Sequence, residues 1–512
     1  MWSLEETLPT FVCLASCSTH RFSPYRFFFA PLFRMAAGGL FLLLLCATIL
    51  IVVVVILVNR RRWGMSLRQT SKRASGELRV VFVHPDLGIG GAERLIVDAC
   101  VGLRTFRKCQ TVIVTNFHDP KRCFDETIDG SARVVVSGAW FPRHLLGGRF
   151  HVLCATVRMG IASVACAFGT PCDVFVVDQV AAVVPLLRLL TPSRVFFYCH
   201  FPDQLCDPNR MKGSAAGTNR ASRSVARQMY RYLFDRLEAW TMSASSAIMC
   251  NSLFTLGMTR RTFPALQQHL LSPAADDVAK HVLYPPIDID RFLAPKPSTD
   301  ASKALASKLQ DKLPIVSINR FERKKNLALA VRAFSHLYHS TTLATDVKSR
   351  LVLVLAGGYD PRLRENVEHF AELEALWEQQ SLPRDAIIFL RSFGEEEKRV
   401  LLTTATIVVY TPSGEHFGIV PVEAMLSRRC VVAVNDGGPT ESITTSDVYG
   451  LLRDPQPDAF AGAMEMLLTG PDAADLRQAI GNRAHDRAQE LFSLETFSRK
   501  MHERLVRLCL PT

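Results

Sequence analysis

Short apolar runs, each followed by a loop and a stretch with helical spacing, recur along most of the chain. Residues 78–84 (LRVVFVH) are continuous and rich in β-branched side chains, as in a strand buried on both faces of a parallel sheet, and residues 92–103 follow with helical periodicity. Further runs at 111–115, 133–137, 174–178 and 195–199 continue the alternation, which predicts a doubly wound α/β domain over 77–292. Residues 293–312, rich in Pro, Ser, Ala and Lys, read as a linker. A second α/β series then runs through 314–319, 350–357, 386–390, 406–410 and 430–435, predicting a second domain over 313–490 and a C-terminal helix over 491–512. The expected architecture is therefore two doubly wound, Rossmann-like α/β domains facing a cleft. In the first of them, residues 229–242 set Tyr230, Leu233, Phe234, Leu237, Trp240 and Thr241 along one helical face, predicting a packed core helix. Residues 205–227 are polar, small and basic, and read as a loop.

A different pattern precedes these domains. Residues 36–58 carry no charge, and about 20 such residues suffice to cross a bilayer, so an N-terminal transmembrane helix is expected there. Arg60, Arg61, Arg62, Arg68, Lys72 and Arg73 follow it, against only Arg21, Arg26 and Arg34 before it. Positive charge collects on the cytosolic side of a span, so residues 1–35 are expected to be lumenal and everything after 59–76, a basic tether, cytosolic.

Length agrees with two cores, since 512 residues exceed the roughly 250–300 that one core supports. The 60 Lys and Arg against 48 Asp and Glu leave a net charge of +12. Because much of the basic excess abuts the apolar span, it reads as a topology signal and no nucleic-acid partner is expected. The 14 cysteines include no C-x-x-C pair and no tight Cys/His cluster, which argues against a structural zinc site or a disulfide framework and favours a reducing compartment.

Candidate chemistry gathers where strands end. Gly88, Gly90 and Gly91 in HPDLGIGGAER stand between a strand and a helix, where backbone N–H groups can approach an anion. Their spacing is not G-x-G-x-x-G, so a dinucleotide cofactor is disfavoured. In NRFERKKN, Arg320 lies at a strand end and Lys325 just before the next helix, two cations able to grip a diphosphate. EHFGIVPVE sets Glu415 in a loop and Glu423 in the first turn of a helix; the first can meet sugar hydroxyls or developing positive charge, the second ribose hydroxyls. Gly437 and Gly438 in NDGGPTE offer a second backbone phosphate cradle, and His200 in CHFPD follows another strand. Each segment also has an ordinary reading as a turn, a cap or a solvated charge cluster. The D-x-D pair Asp288 and Asp290 is not taken as a metal site, because Arg320 and Lys325 can neutralise a diphosphate; no metal or cofactor is expected.

Together, HPDLGIGGAER, FYCHFPD, LYPPIDIDRF, INRFERKKN, AGGYDPRLRENVEH, TPSGEHFGIVPVEAM and NDGGPTESI resemble glycosyltransferase family 4, retaining enzymes of the two-domain GT-B fold, over nearly all of residues 78–490. Asn326 stands where many members of that family carry Gly. The resemblance implies transfer of mannose from GDP-mannose to a dolichol-diphosphate-linked Man-GlcNAc2 acceptor, α-1,3 and then α-1,6, at the cytosolic face of the endoplasmic reticulum membrane. Other enzymes of the same assembly pathway are possible partners. It further implies that Arg320 and Lys325 stabilise the departing diphosphate, that Glu415 contacts the donor mannose, and that Glu423 binds the ribose. Gly88, Gly90, Gly91 and His200 would face the reacting sugar. Attack on the same face as departure would leave no carboxylate nucleophile, so Glu415 is not assigned as one. Base choice is not legible in these residues; a UDP-sugar transferase, a sugar-nucleotide epimerase and an inactive scaffold remain the alternatives.

Overall fold

The structure, a computed structural model, describes residues 77–144, 151–169, 172–206, 225–268, 279–294, 298–444 and 446–510. The expected membrane span at 36–58, its tether, residues 1–35 and most of the 205–227 loop lie outside the described residues.

Two six-stranded parallel sheets form the frame. In the first, β1 (Arg79–Leu87), β2 (Gln110–His118), β3 (Val134–Val136), β4 (Val174–Asp178), β5 (Arg194–Cys199) and β6 (Ala247–Cys250) run in the order β3-β2-β1-β4-β5-β6. The second comprises β7 (Leu313–Ile318), β8 (Leu351–Gly357), β9 (Ile387–Arg391), β10 (Ile407–Tyr410), β11 (Cys430–Val434) and β12 (Leu451–Arg453), ordered β12-β11-β10-β7-β8-β9. Read from its far edge, the second sheet repeats the order of the first, so each reverses direction between its first and fourth strands, the place where open α/β sheets bind ligands. Alternate residues of these strands feed cores on both faces: Val81, Val83 and Phe175 on one side of the first sheet, Val80, Phe82 and Val174 on the other.

The expected linker 293–312 contains a helix, Asp300–Leu309, whose Leu305 and Leu309 join the core of the second domain. Elsewhere helices follow strands as their apolar spacing predicts, with two differences. The helix Val225–Ser243 forms, but Leu233 and Trp240 are exposed, while Thr241 and Met242 are buried. Apolar residues at 232–234, 237 and 240–242 spread around most of the helix, so periodicity alone does not single out an inner face; docking over the short turn Ala181–Val183 selects the C-terminal end. The other concerns the chain's return. The helix Ala473–Phe492 ends at Ser493, whose side chain caps the helix Leu494–Cys509, and that last helix lays Phe497, Met501 and Leu505 into the core of the first domain. Gly102 permits this crossing, because a Cβ there would run into Ser498 and Leu494.

By length and composition alone, the helix His151–Gly169 could cross a membrane. Here it packs on the first sheet, and its buried Arg158 reaches the carbonyl of Asn116 at 3.2 Å and Asp86 at 3.1 Å.

Candidate active site

The carboxyl ends of both sheets face each other, and the loops leaving them carry the candidate residues. On the first domain, β1 ends in the turn that holds Gly88, with Gly90 in extended conformation capping the helix Gly91–Arg107. A Cβ at Gly88 or Gly91 would meet no atom within 4 Å, so this turn is open. His200 follows β5, with its Nε2 2.9 Å from Asp178 Oδ2 at the end of β4. Asp178 also receives the Nδ1 of His84 from β1 at 2.9 Å, and His84 and Asp178 are fully buried. Burial by itself would raise the Asp178 carboxyl, but His84 and His200 outweigh it and bring it down to about 2. Burial disfavours the charged His84 ring; the Asp178 carboxylate reverses the balance and raises its pKa above the ordinary imidazole value. Residues from β1, β4 and the turn after β5 thus fix one imidazole at the cleft.

On the second domain, the turn Arg323–Lys325 and Asn326 lead into the helix Leu327–His339. Asn326 sits at φ 49°, ψ 42°, a left-handed conformation that Gly adopts freely and Asn tolerates better than most residues, which is why Asn serves here. Thr411, after β10, donates to the Lys325 carbonyl at 2.8 Å. The Lys325 side chain is thereby turned inward, its Nζ 2.6 Å from Glu415 Oε1, while the Tyr410 hydroxyl donates to Glu415 Oε2 at 3.3 Å. Burial pushes the Glu415 carboxyl up, yet the Lys325 ammonium more than offsets it and leaves the pKa below the usual range.

The glycines of NDGGPTE support this loop directly. Gly437 has φ +68°, and a Cβ on it would sit 2.5 Å from the Glu415 carbonyl oxygen; a Cβ on Gly438 would overlap the Phe417 backbone. Gly438 N–H donates to the Glu415 carbonyl at 2.8 Å. Both positions therefore exclude a side chain for packing reasons.

Lys325, Glu415, Gly437 and Gly438 come together; Arg320 and Glu423 keep other company. Arg320 is largely exposed and pairs with Glu322 at 2.8 Å. Glu423, buried in the helix Ile419–Leu426, is bound through Oε1 by Lys398 at 2.5 Å. Asp288 of the D-x-D pair caps the helix Ile289–Leu293, accepting from Arg291 N at 3.1 Å.

The two domains meet beside Glu415. Phe201 stacks on His416 with ring centroids 3.8 Å apart, and Ser252 Oγ donates to the His416 carbonyl at 2.5 Å. Glu441 accepts the N–H groups of Leu253 and Phe254, each at 2.7 Å, satisfying donors at the start of the helix Leu253–Thr262 across the domain boundary. Asp178, His84, Lys398 and Glu441 were not singled out from the sequence. For His84 and Asp178 a signal existed, since Asp178 ends β4 and His84 lies in β1, the two strands that flank the switch point. Lys398, in the run EEEKR, reads as a solvated charge until the fold is seen.

Two facing Rossmann-like domains, with a half-buried Lys–Glu pair at the cleft, make up the GT-B fold of glycosyltransferases, and residues 299–487 match the family described as Glycosyl transferases group 1. The fold is shared with sucrose-phosphate synthase from Thermosynechococcus elongatus (TM-score 0.62, 18% identity, 84% of this chain and 99% of that one). It is also shared with Anabaena Alr3699/HepE in complex with UDP (TM-score 0.58, 16% identity, 84% and 100%). In sequence, the chain is 39% identical over 453 residues to the alpha-1,3/1,6-mannosyltransferase ALG2 of Rhizomucor pusillus, covering 85% of this chain and 92% of the relative. Identity to the Homo sapiens protein of that name is 38% over 439 residues, covering 84% and 96%. The chain belongs to the alpha-1,3/1,6-mannosyltransferase family.

Proposed function

We propose that this enzyme transfers mannose from GDP-mannose to dolichol-diphosphate-linked Man-GlcNAc2, first in α-1,3 and then in α-1,6 linkage, at the cytosolic face of the endoplasmic reticulum membrane. The observation that carries the reading is the half-buried Lys325–Glu415 pair, held where both domains meet and within a chain 38–39% identical to mannosyltransferases over most of their length. A preorganised ammonium in a site screened from water stabilises negative charge far better than one in solution. Lys325 would therefore meet the leaving diphosphate, with Arg320 turning from Glu322 to join it. Glu415, fixed by Lys325 and Tyr410, would receive hydroxyls of the donor mannose, and Glu423 those of the ribose. Gly88, Gly90, Gly91 and His200 would line the sugar from the first domain, and the backbone N–H of Gly437 would add to the phosphate site while Gly438 holds the Glu415 carbonyl. Departure and attack on one face would let the leaving phosphate take the proton of the acceptor hydroxyl.

The test is product analysis with the purified full-length protein, radiolabelled GDP-mannose and a short-chain lipid-linked trisaccharide, followed by linkage determination by mass spectrometry. Addition of one α-1,3 and one α-1,6 mannose is expected; transfer only from UDP-sugars would overturn the donor assignment.

A further inference from the structure

Glu423 presents an asymmetry that the proposed function leaves unexplained. Its carboxylate is buried in the helix Ile419–Leu426, and one oxygen, Oε1, is taken by Lys398 at 2.5 Å. The other, Oε2, is buried with no hydrogen-bond partner among the described residues. A buried acceptor left without a donor is costly, and a carboxylate oxygen more so than a neutral one. Such a group is tolerated where a ligand supplies the donor. Lys398 reaches Glu423 from a different element, the helix Glu395–Thr404, which follows β9. Near Glu423 it finds a deficit of cations, since the other charge acting on both groups is the carboxylate of Glu395.

Lys398 has two physical effects. Its charge works against the burial that holds the Glu423 carboxyl above the ordinary glutamate range, and the Lys398 pKa, which burial would lower, is raised by Glu423. Its single contact also fixes which oxygen is engaged, because an ammonium is a point donor and does not fork across both oxygens as a guanidinium does. One strong acceptor, with two lone pairs, is then left for a pair of adjacent hydroxyls.

We propose that Lys398 is a positioning residue for nucleotide recognition: by holding Oε1 of Glu423 it reserves Oε2 for the ribose diol of the donor nucleotide. This inference rests on the assignment of the ribose to Glu423. It goes beyond that assignment by giving sugar discrimination to a residue outside the Glu415 and Glu423 pair and by stating which carboxylate oxygen is used.

The experiment compares inhibition of mannosyl transfer by GDP, 2′-deoxy-GDP and 3′-deoxy-GDP in full-length wild-type enzyme and two variants. Wild type is expected to bind GDP about 10- to 100-fold more tightly than the deoxy compounds, as a site built for a hydroxyl rejects its absence. Lys398→Met should raise the KM for GDP-mannose about tenfold or more while leaving kcat within a fewfold, and shrink the deoxy discrimination to about threefold or less. Lys398→Arg keeps the positive charge and so guards against a variant that fails to fold. Its fork should occupy both oxygens and also erase the discrimination, whereas a merely structural ion pair would be served as well by Arg, with the preference for ribose intact. Discrimination retained in Lys398→Arg overturns the inference while the ribose assignment stands. Absence of discrimination in wild type overturns the ribose assignment itself, and this inference with it.

Discussion

Lys325 and Glu415, ninety residues apart in the chain, meet at 2.6 Å in a half-buried ion pair at the end of the second sheet. Each orders the other, so the cation expected to receive the diphosphate and the carboxylate expected to receive the sugar form a single unit. The loop glycines, the Thr411 contact to the Lys325 carbonyl and the stack of Phe201 on His416 all support that unit.

Removing the cation should therefore affect both halves of the donor site. Lys325→Ala is expected to lower kcat roughly 100-fold or more, as when a preorganised charge stabiliser is lost. Initial rates at saturating GDP-mannose check this, with circular dichroism to confirm folding; turnover near that of wild type would remove Lys325 from the mechanism.

The glycines should separate by cause. Gly438→Ala drives a methyl group into the Phe417 backbone and is expected to lower the melting temperature and abolish transfer. Gly88→Ala meets no atom within 4 Å, so the melting temperature should stay within about a degree, and any loss should appear only in rate. Thermal melts of the two variants side by side make the comparison.

How far the chain is legible from sequence follows from what periodicity records. Runs such as 174–178 and 430–434 match strands buried on both faces because continuous β-branched character has few other uses. The series of apolar runs does not include β6 (Ala247–Cys250) or β12 (Leu451–Arg453), an edge strand of each sheet. Candidate residues are visible where glycine, charge and strand end coincide, as at Gly437, Lys325 and Glu415. Pairing is not: that Lys325 faces Glu415 while Arg320 faces Glu322, or that Lys398 crosses to Glu423, depends on which loops the two sheet orders bring together. Leu233 and Trp240 show the same limit, since spacing marks a helix but not the side its neighbours cover.

Acid should loosen the domain contact through His416. Burial, with help from Lys324, Lys325 and His200 and against the pull of Glu415, lowers its pKa from 6.5 to about 4. Between those values the unfolded chain binds the proton and the native state does not, so stability falls as pH falls through this window. His416→Phe keeps a ring against Phe201 and cannot titrate. Melting temperatures measured at about pH 7 and about pH 5 should drop less for this variant than for wild type; an equal drop would assign the acid sensitivity elsewhere.

Asp178 should be the most sensitive buried carboxylate of the first domain, because it joins His84 and His200. Asp178→Asn leaves the buried His84 ring without its countercharge and is expected to cost roughly 3 kcal/mol or more in urea unfolding, together with a loss of transfer rate. A variant as stable as wild type would show that the cluster is held by packing alone.

The most direct test of the central claim is an experimental structure of the full-length protein with GDP bound. The diphosphate is expected between the two domains, within hydrogen-bond reach of Lys325 Nζ, with Glu415 still beside that ammonium. GDP bound away from this cleft, with the Lys325–Glu415 pair untouched by phosphate, would contradict the account.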